Sequence, residues 1–174
     1  MYLRLLLIIL VFNRPLAFGL APALLGLSVL GFVLAGFCYW IKGAHPADTQ
    51  AATPPTNPLE LGAAMIFATL FVLISLASAW ARSQYGTTGI YLLAAIVGVS
   101  DIDPFVLSLA ERGAGQIPVV VGIIAILIAT SSNNLLKAGY AAAFAGRRAS
   151  AVPVAALGLL ALCGIGIAAW MAGV

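Results

Sequence analysis

Long apolar runs separated by short polar turns make up most of the chain. Four runs are about 20 residues or longer, the length a helix needs to cross a bilayer; they cover residues 16–41, 59–81, 117–144 and 152–171. A fifth run, residues 1–12, ends at a turn and is too short to span. This pattern predicts an all-α, polytopic transmembrane helical bundle.

A further apolar segment, from Thr88 to Glu111, has polar residues at its centre. Asp101, Asp103 and Pro104 interrupt it. A carboxylate near the middle of a bilayer costs roughly 2.5–3.5 kcal/mol on insertion scales. We interpret the segment as one membrane-spanning helix that is broken at these residues.

Composition supports a membrane protein and argues against other classes. The chain of 174 residues is 63% hydrophobic and 7% charged, whereas a soluble domain has about 25% charged residues. The net charge of +3 forms no basic patch, so we expect the lipid bilayer rather than nucleic acid as the partner. No nucleophile–base pair, phosphate loop or cysteine motif appears, so we expect neither an enzyme nor a cofactor.

A shift of 133 residues aligns two parts of the chain without gaps. Arg4 then falls on Lys137, and Arg14 falls on Arg147. We interpret this as a parallel internal repeat, an architecture common in transporters. The predicted parts are the truncated end of a first repeat (a half-span plus one helix), a polar proline-rich linker, and a complete second repeat with four transmembrane segments; they cover residues 1–42, 43–58 and 59–174. We expect a homo-oligomer or a missing N-terminal membrane domain to complete the fold.

The two aspartates have different structural explanations. Asp103 precedes Pro104, an arrangement that predicts an N-cap for a half-helix and leaves a ligand role open. Asp101 is too far from Pro104 to be that cap. It is either a cation or proton site or one half of an internal salt bridge with Lys137. Since their two spans border the same short connection, we predict that Lys137 and Asp101 pair.

A second polar stretch lies in the middle of the span 117–144. Thr130, Asn134 and Lys137 fall on one helix face, and Asn133 is one turn from Lys137. Together with Ser100, Asp101 and Asp103, these residues are the candidate transport or ion-binding site. Their donors are mostly hard oxygens, so Mg²⁺, Na⁺, K⁺ or a proton would suit them better than zinc or copper.

Three ordered motifs resemble a prokaryotic membrane family. They are Gly98-Val99-Ser100-Asp101-Ile102-Asp103 followed by Leu107-Ser108-Leu109-Ala110, then Ala129-Thr130-Ser131-Ser132-Asn133 with Lys137, and Asn57-Pro58-Leu59-Glu60-Leu61. The family is the domain of unknown function four thousand and ten. The resemblance implies fusion to a preceding MgtC/SapB-type membrane domain, and this chain resembles the C-terminal part of the family's own domain. Pro104 departs from the family, which has alanine there.

These features lead to two functional hypotheses. The first is a small-solute or ion transporter, or a channel-like subunit, in a prokaryotic inner membrane, with a polar site at the bilayer midplane. The second is a non-transporting membrane subunit that docks a partner protein or assembles as an oligomer. Basic residues in alternate loops favour one side as cytoplasmic, with the proline-rich linker and the C-terminus outside. That side carries Arg14, Arg82, Arg147 and Arg148, against Lys42 and Arg112 on the other.

Overall fold

The fold is a bundle of α-helices. The computed structural model describes residues 1–42, 61–99, 101–112, 117–144 and 147–173. This part contains no strand and six helices: α1 (Tyr2–Phe12), α2 (Arg14–Lys42), α3 (Leu61–Val97), α4 (Asp103–Arg112), α5 (Val119–Phe144) and α6 (Arg147–Gly173). Four of them, α2, α3, α5 and α6, contain segments long and apolar enough to cross a membrane. The predicted all-α, polytopic fold is confirmed. The linker 43–58 and Ser100 lie outside the described residues.

Helix α3 consists of two limbs that meet at Gly86. This residue has φ 60° and ψ −137°, a left-handed backbone conformation that favours glycine. Beyond it, Gly89 packs against the carbonyl oxygen of Ala81, although a straight helix would hold residues eight apart about 12 Å from each other. Residues from both sides of Gly86 also line one shared groove. The chain therefore reverses, giving a first limb (residues 61–85) and a second limb (residues 87–97).

The turn between α1 and α2 marks one end of the bundle. Asn13 lies in this turn, and its Nδ2 donates a hydrogen bond to the carbonyl oxygen of Ala110 in α4 at 3.3 Å. Asn13, Leu109 and residues 117–119 surround one small cavity, and Leu109 shares another cleft with Arg82. We call this end the Asn13 face. Helices α1 and α4 end there, α3 turns there, and α2 and α5 begin there.

The opposite end, the Phe144 face, lies where α5 ends at Phe144 and α6 begins at Arg147. Helix α6 runs back antiparallel to α5, with Gly164 packed on Ser131. Helix α2 packs along α6 and crosses from the Asn13 face to the Phe144 face, where it ends at Lys42. The first limb of α3 completes this long-helix framework.

Three helical pieces reach only halfway through the bundle. Helix α1 has 11 residues and α4 has 10, and the second limb of α3 is similar. At about 1.5 Å per residue each is roughly 16 Å long, half of a hydrocarbon core of about 30 Å. All three have one end at the Asn13 face. The segment 88–111 thus enters and leaves by one face, and the prediction of one broken membrane-spanning helix is wrong.

The orientation of α1 also bears on the predicted repeat. Tyr2 contacts Asn134 in the second half of α5, whereas Asn13 lies beside Val119 at its start. Helix α1 is therefore antiparallel to the part of α5 with which its sequence aligns. The repeat itself stays a prediction, but the parallel arrangement is wrong: the two hairpins point in opposite directions, as in an inverted repeat.

The basic residues near the helix ends are divided evenly between the two faces. The helix bounds place Arg14, Arg82 and Arg112 at the Asn13 face, and Lys42, Arg147 and Arg148 at the Phe144 face. The lysine and arginine bias consequently favours neither orientation. The predicted assignment of these basic residues to two sides is wrong, because it assumed that the segment 88–111 crosses the bundle. Each crossing reverses the side of every later loop.

Burial fixes α4 between its neighbours. Phe105 and Val106 are fully buried, and they pack with Leu5 and Ile9 of α1 and with Ile126 of α5. Burying one such side chain contributes about 1.5–3 kcal/mol. Because these contacts hold both sides of α4, the charged residues at its N-terminal end have a defined place.

Candidate functional site

The inner ends of the three half-length pieces meet the polar middle of α5. We call the residues gathered there the mid-depth cluster: Tyr2, Arg4, Asp101, Asp103, Asn133, Asn134 and Lys137. Asn133 and Asn134 lie just past the midpoint of α5. The structure therefore brings together five of the predicted site residues: Asp101, Asp103, Asn133, Asn134 and Lys137.

An ion pair joins α1 to α4. Nη2 of Arg4 lies 2.8 Å from both carboxylate oxygens of Asp103. The Asp103 side chain is 18% exposed and the Arg4 side chain 62% exposed, so the guanidinium covers the carboxylate from the open side. The charge on Asp103 is therefore compensated by a residue about a hundred positions earlier in the chain.

Asp101 stabilises the start of α4. Its Oδ1 accepts a hydrogen bond from the backbone N–H of Asp103 at 3.1 Å, one of the donors that a helix N-terminus leaves without an intrahelical partner. The prediction that Asp103 caps a helix starting at Pro104 is wrong, because α4 already begins at Asp103. This shift by one residue brings Asp101 within reach and frees the Asp103 carboxylate for Arg4.

Side chains of α5 donate hydrogen bonds to the carbonyl groups at the C-terminal end of α3. Ser132 Oγ donates to the carbonyl oxygen of Ala95 at 2.7 Å, and Asn133 Nδ2 donates to that of Gly98 at 3.0 Å. These carbonyls belong to the last helical turn, which otherwise lacks donors. The two helices approach so closely that a Cβ atom on Gly98 would lie 2.5 Å from the carbonyl oxygen of Ala129.

A different face of α5 contacts α1. Asn134 Nδ2 donates to the hydroxyl oxygen of Tyr2 at 2.7 Å, and Lys137 Nζ lies 3.4 Å from Sδ of Met1. The predicted Lys137–Asp101 pair is therefore wrong: within the described ranges, the ion pair at this level is Arg4 with Asp103. Both Lys137 and Asp101 are exposed.

Thr130 lies apart from these contacts. Its hydroxyl donates to the carbonyl oxygen of Leu127 in its own helix at 3.0 Å, and the residue is 1% exposed. Such a bond is local and shapes the helix rather than a ligand site. Thr130 shares a helix face with Asn134 and Lys137, as predicted, but lies nearer the Asn13 face.

Sequence reasoning missed three residues that hold the site. Arg4 had a visible signal, since it is a lone charge in an apolar run and balances the aspartates. Asn13 had a weaker one: asparagine directly before a helix is a preferred N-cap, and its Oδ1 accepts from the Leu16 N–H at 3.0 Å. Nothing in the sequence marked Tyr2 as the partner of Asn134.

The mid-depth cluster combines acidic and basic side chains. It contains two carboxylates and two cations, so its formal charges cancel. No group of three or more histidine, cysteine, aspartate or glutamate side chains lies together in the described part of the chain. A bound cation would therefore depend on the carboxylates with amide and backbone carbonyl oxygens, the hard ligands that Na⁺, K⁺ and Mg²⁺ accept.

Comparisons with known proteins identify an uncharacterized relative and a matching family model. An uncharacterized protein of Aquifex aeolicus is 32% identical over 149 residues, which is 85% of this chain and 64% of the relative. The chain thus spans just under two thirds of that relative's length. No solved structure matches the chain. Residues 1–145 match the family model described as Domain of unknown function (DUF4010), and on this match the chain belongs to the DUF4010 family.

Proposed function

We propose that the protein is a small-solute or ion transporter, or a channel-like subunit, that uses the mid-depth cluster as its polar site. One observation carries the proposal. The Arg4–Asp103 ion pair, with Arg4 62% exposed, lies halfway along α5 in a bundle that exposes many large apolar side chains. Ionisable residues at this depth in membrane proteins usually face a water-filled cavity and belong to a transport path.

The half-length helices supply a route for water to this site. Helices α1 and α4 and the second limb of α3 occupy only the half of the bundle nearer the Asn13 face. Towards the Phe144 face, the described helices beside the site are the long ones. Water entering from the Phe144 face would reach Arg4, Asp101 and Lys137, all of which are exposed. Discontinuous helices with ends at the midplane are a common feature of transporters.

The ion pair suggests how a solute would be exchanged. A proton or a cation such as Na⁺, K⁺ or Mg²⁺ that binds the Asp103 carboxylate competes with Arg4, whose guanidinium can swing into water. Asp101, whose Oδ1 bonds the backbone N–H of Asp103, and the Asn133 amide would contribute further oxygen ligands. Lys137 would hold the net charge of the site near zero when Arg4 moves away.

The proposal includes the cellular location of the protein. We place the protein in the inner membrane of a prokaryote, with the lipid bilayer as its main partner, and assign it binding and transport rather than catalysis. The association with an MgtC/SapB-type domain that the sequence resemblance implies would provide a partner next to the open side of the site.

Flux through reconstituted protein tests this function. The purified chain in liposomes with an internal pH-sensitive dye should dissipate an imposed proton or potassium gradient faster than empty liposomes. Asp103→Asn should abolish this flux, because it removes the exchangeable negative charge. Arg14→Gln is the matched control, since Arg14 is an exposed arginine at the Asn13 face. Flux that is unchanged in Asp103→Asn would remove the mid-depth cluster from the transport path.

A second function is favoured by the same exposed surface. Arg4 sits at the end of a half-length helix, and a charge there is unfavourable against lipid. A second copy or another membrane protein could cover it and leave no path for solutes. In that case no gradient would be dissipated, while Arg4→Gln would shift the protein between oligomeric states in detergent. Gradient dissipation by the wild type excludes this alternative.

A further inference from the structure

A cleft distinct from the mid-depth cluster opens near the Asn13 face. It has a volume of about 320 Å³ and lies between the first limb of α3 and the C-terminal half of α4. We call it the hydroxyl cleft; its lining residues are Ser78, Ala79, Arg82, Ser83, Ser108, Leu109 and Ile117. Ligand pockets in proteins begin at about 300 Å³, so the cleft can hold a small molecule.

The three serines of the cleft offer hydrogen-bond acceptors. Each hydroxyl already donates its hydrogen to a backbone carbonyl of its own helix: Ser78 at 2.7 Å, Ser83 at 2.8 Å and Ser108 at 2.9 Å. A hydroxyl has one hydrogen and two lone pairs. The oxygens of Ser78 and Ser108, which come from opposite walls, therefore present lone pairs to a ligand that donates hydrogen bonds.

Arg82 supplies positively charged hydrogen-bond donors to the same cleft. Its guanidinium has five N–H donors, no acceptor and a geometry that matches a carboxylate. Within the described ranges no carboxylate forms a salt bridge with Arg82. The remaining walls, Leu109 and Ile117 with Ala79, are apolar. This differs from the mid-depth cluster, where the carboxylates already have partners within the protein.

We propose that the hydroxyl cleft binds a small aliphatic α-amino acid as its zwitterion. The carboxylate binds the Arg82 guanidinium, the ammonium donates to the serine oxygens, and the aliphatic side chain packs on Leu109 and Ile117. The proposal does not depend on transport by the mid-depth cluster, because it concerns binding at equilibrium at another place in the fold.

Binding of three related probes tests the assignment of each group. Isothermal titration of the purified chain in nanodiscs is carried out with L-valine, with 3-methylbutanoate, which lacks the ammonium, and with 2-methylpropylamine, which lacks the carboxylate. L-valine should bind saturably. Each of the other two should bind about ten- to hundredfold more weakly, the effect of losing one charge-assisted hydrogen bond.

Two variants separate binding from a general structural effect. Arg82→Gln should weaken L-valine and 3-methylbutanoate alike, while Arg14→Gln, an exposed arginine at the same face, should change neither. Ser108→Ala should weaken L-valine but leave 3-methylbutanoate unchanged, a selectivity that misfolding cannot produce. The proposal is overturned if folded wild-type protein shows no saturable L-valine binding, or if 3-methylbutanoate binds as tightly as L-valine.

Discussion

The two ends of α4 are held by different kinds of interaction. At the mid-depth end, a charged pair connects Asp103 to Arg4, whose side chain is 62% exposed. At the Asn13 face, a neutral amide connects Asn13 to the carbonyl oxygen of Ala110, and Asn13 is 6% exposed. Ser108, one turn from this end, is 1% exposed.

This difference indicates which end of α4 can change state. An ion pair open to water contributes only about 0–1 kcal/mol, so Arg4 can leave Asp103 at small cost when a proton or cation arrives. A buried amide that loses its partner costs about 1–3 kcal/mol. The Asn13 face therefore anchors α4, and its mid-depth end is the adjustable one.

The sharpest test of this comparison is whether both α1 and α4 end at one face. In a variant without Cys38 and Cys163, single cysteines replace Arg14, Glu111 or Phe144, all exposed. A membrane-impermeant maleimide added to one side of oriented vesicles should label positions 14 and 111 together and position 144 only from the other side. The effect is all-or-none, because a charged reagent does not cross the bilayer.

Labelling of positions 14 and 144 from one side, with 111 on the other, would contradict the reversal of the chain between α3 and α4. That result would restore the single broken span that the sequence suggested. Permeabilised vesicles, in which all three cysteines react, are the control for accessibility.

The second prediction concerns the close approach at the mid-depth end. In Gly98→Ala the new Cβ would lie 2.5 Å from the Ala129 carbonyl oxygen and 2.6 Å from Ser132 Cβ. Since backbone cannot move aside as a flexible side chain does, we expect a loss of about 3 kcal/mol in the free energy of unfolding. Denaturation by sodium dodecyl sulfate in mixed micelles measures this change.

Gly139→Ala is the matched control within α5. A Cβ atom there meets nothing within 4 Å, and replacing glycine by alanine inside a helix gains roughly 0.5–1 kcal/mol. The two substitutions should therefore have opposite signs. Equal effects would mean that the contact between α3 and α5 is looser than the structure shows.

The sequence predicted the long helices well, because crossing a bilayer requires an apolar run whose length can be counted. It also marked Asp101, Asp103 and the polar middle of α5 as one site, since buried charges need partners. It could not give the direction of α4. A ten-residue helix after a break has the same composition whether it continues across the bundle or turns back.

The partner of Asp103 was missed for a related reason. Arg4 and Lys137 occupy equivalent positions of the predicted repeat, so the sequence allowed either of them to pair with an aspartate. The choice depends on which helix runs beside α4, and that depends on α1 being antiparallel to α5. Hydropathy has a period and a length but no direction, and so it left this choice open.

The last prediction separates the contributions of the two hydrogen bonds that the Asn13 side chain forms. Asn13 Oδ1 accepts from the Leu16 N–H at 3.0 Å and caps α2, while Nδ2 donates to Ala110 at 3.3 Å and holds α4. Asn13→Ser keeps a side-chain oxygen for the cap and loses the link to α4, which should cost about 1 kcal/mol. Asn13→Ala loses both and should cost about 2 kcal/mol.

Micelle denaturation measures both variants, with Gln84→Ala, an exposed position near the same face, as the control expected to change little. The difference between alanine and serine isolates the helix cap, and the difference between serine and wild type isolates the link between α2 and α4. If serine equals the wild type, the amide of Asn13 does not hold α4. The anchor would then reside in the buried apolar side chains of α4, among them Phe105, Val106 and Leu109.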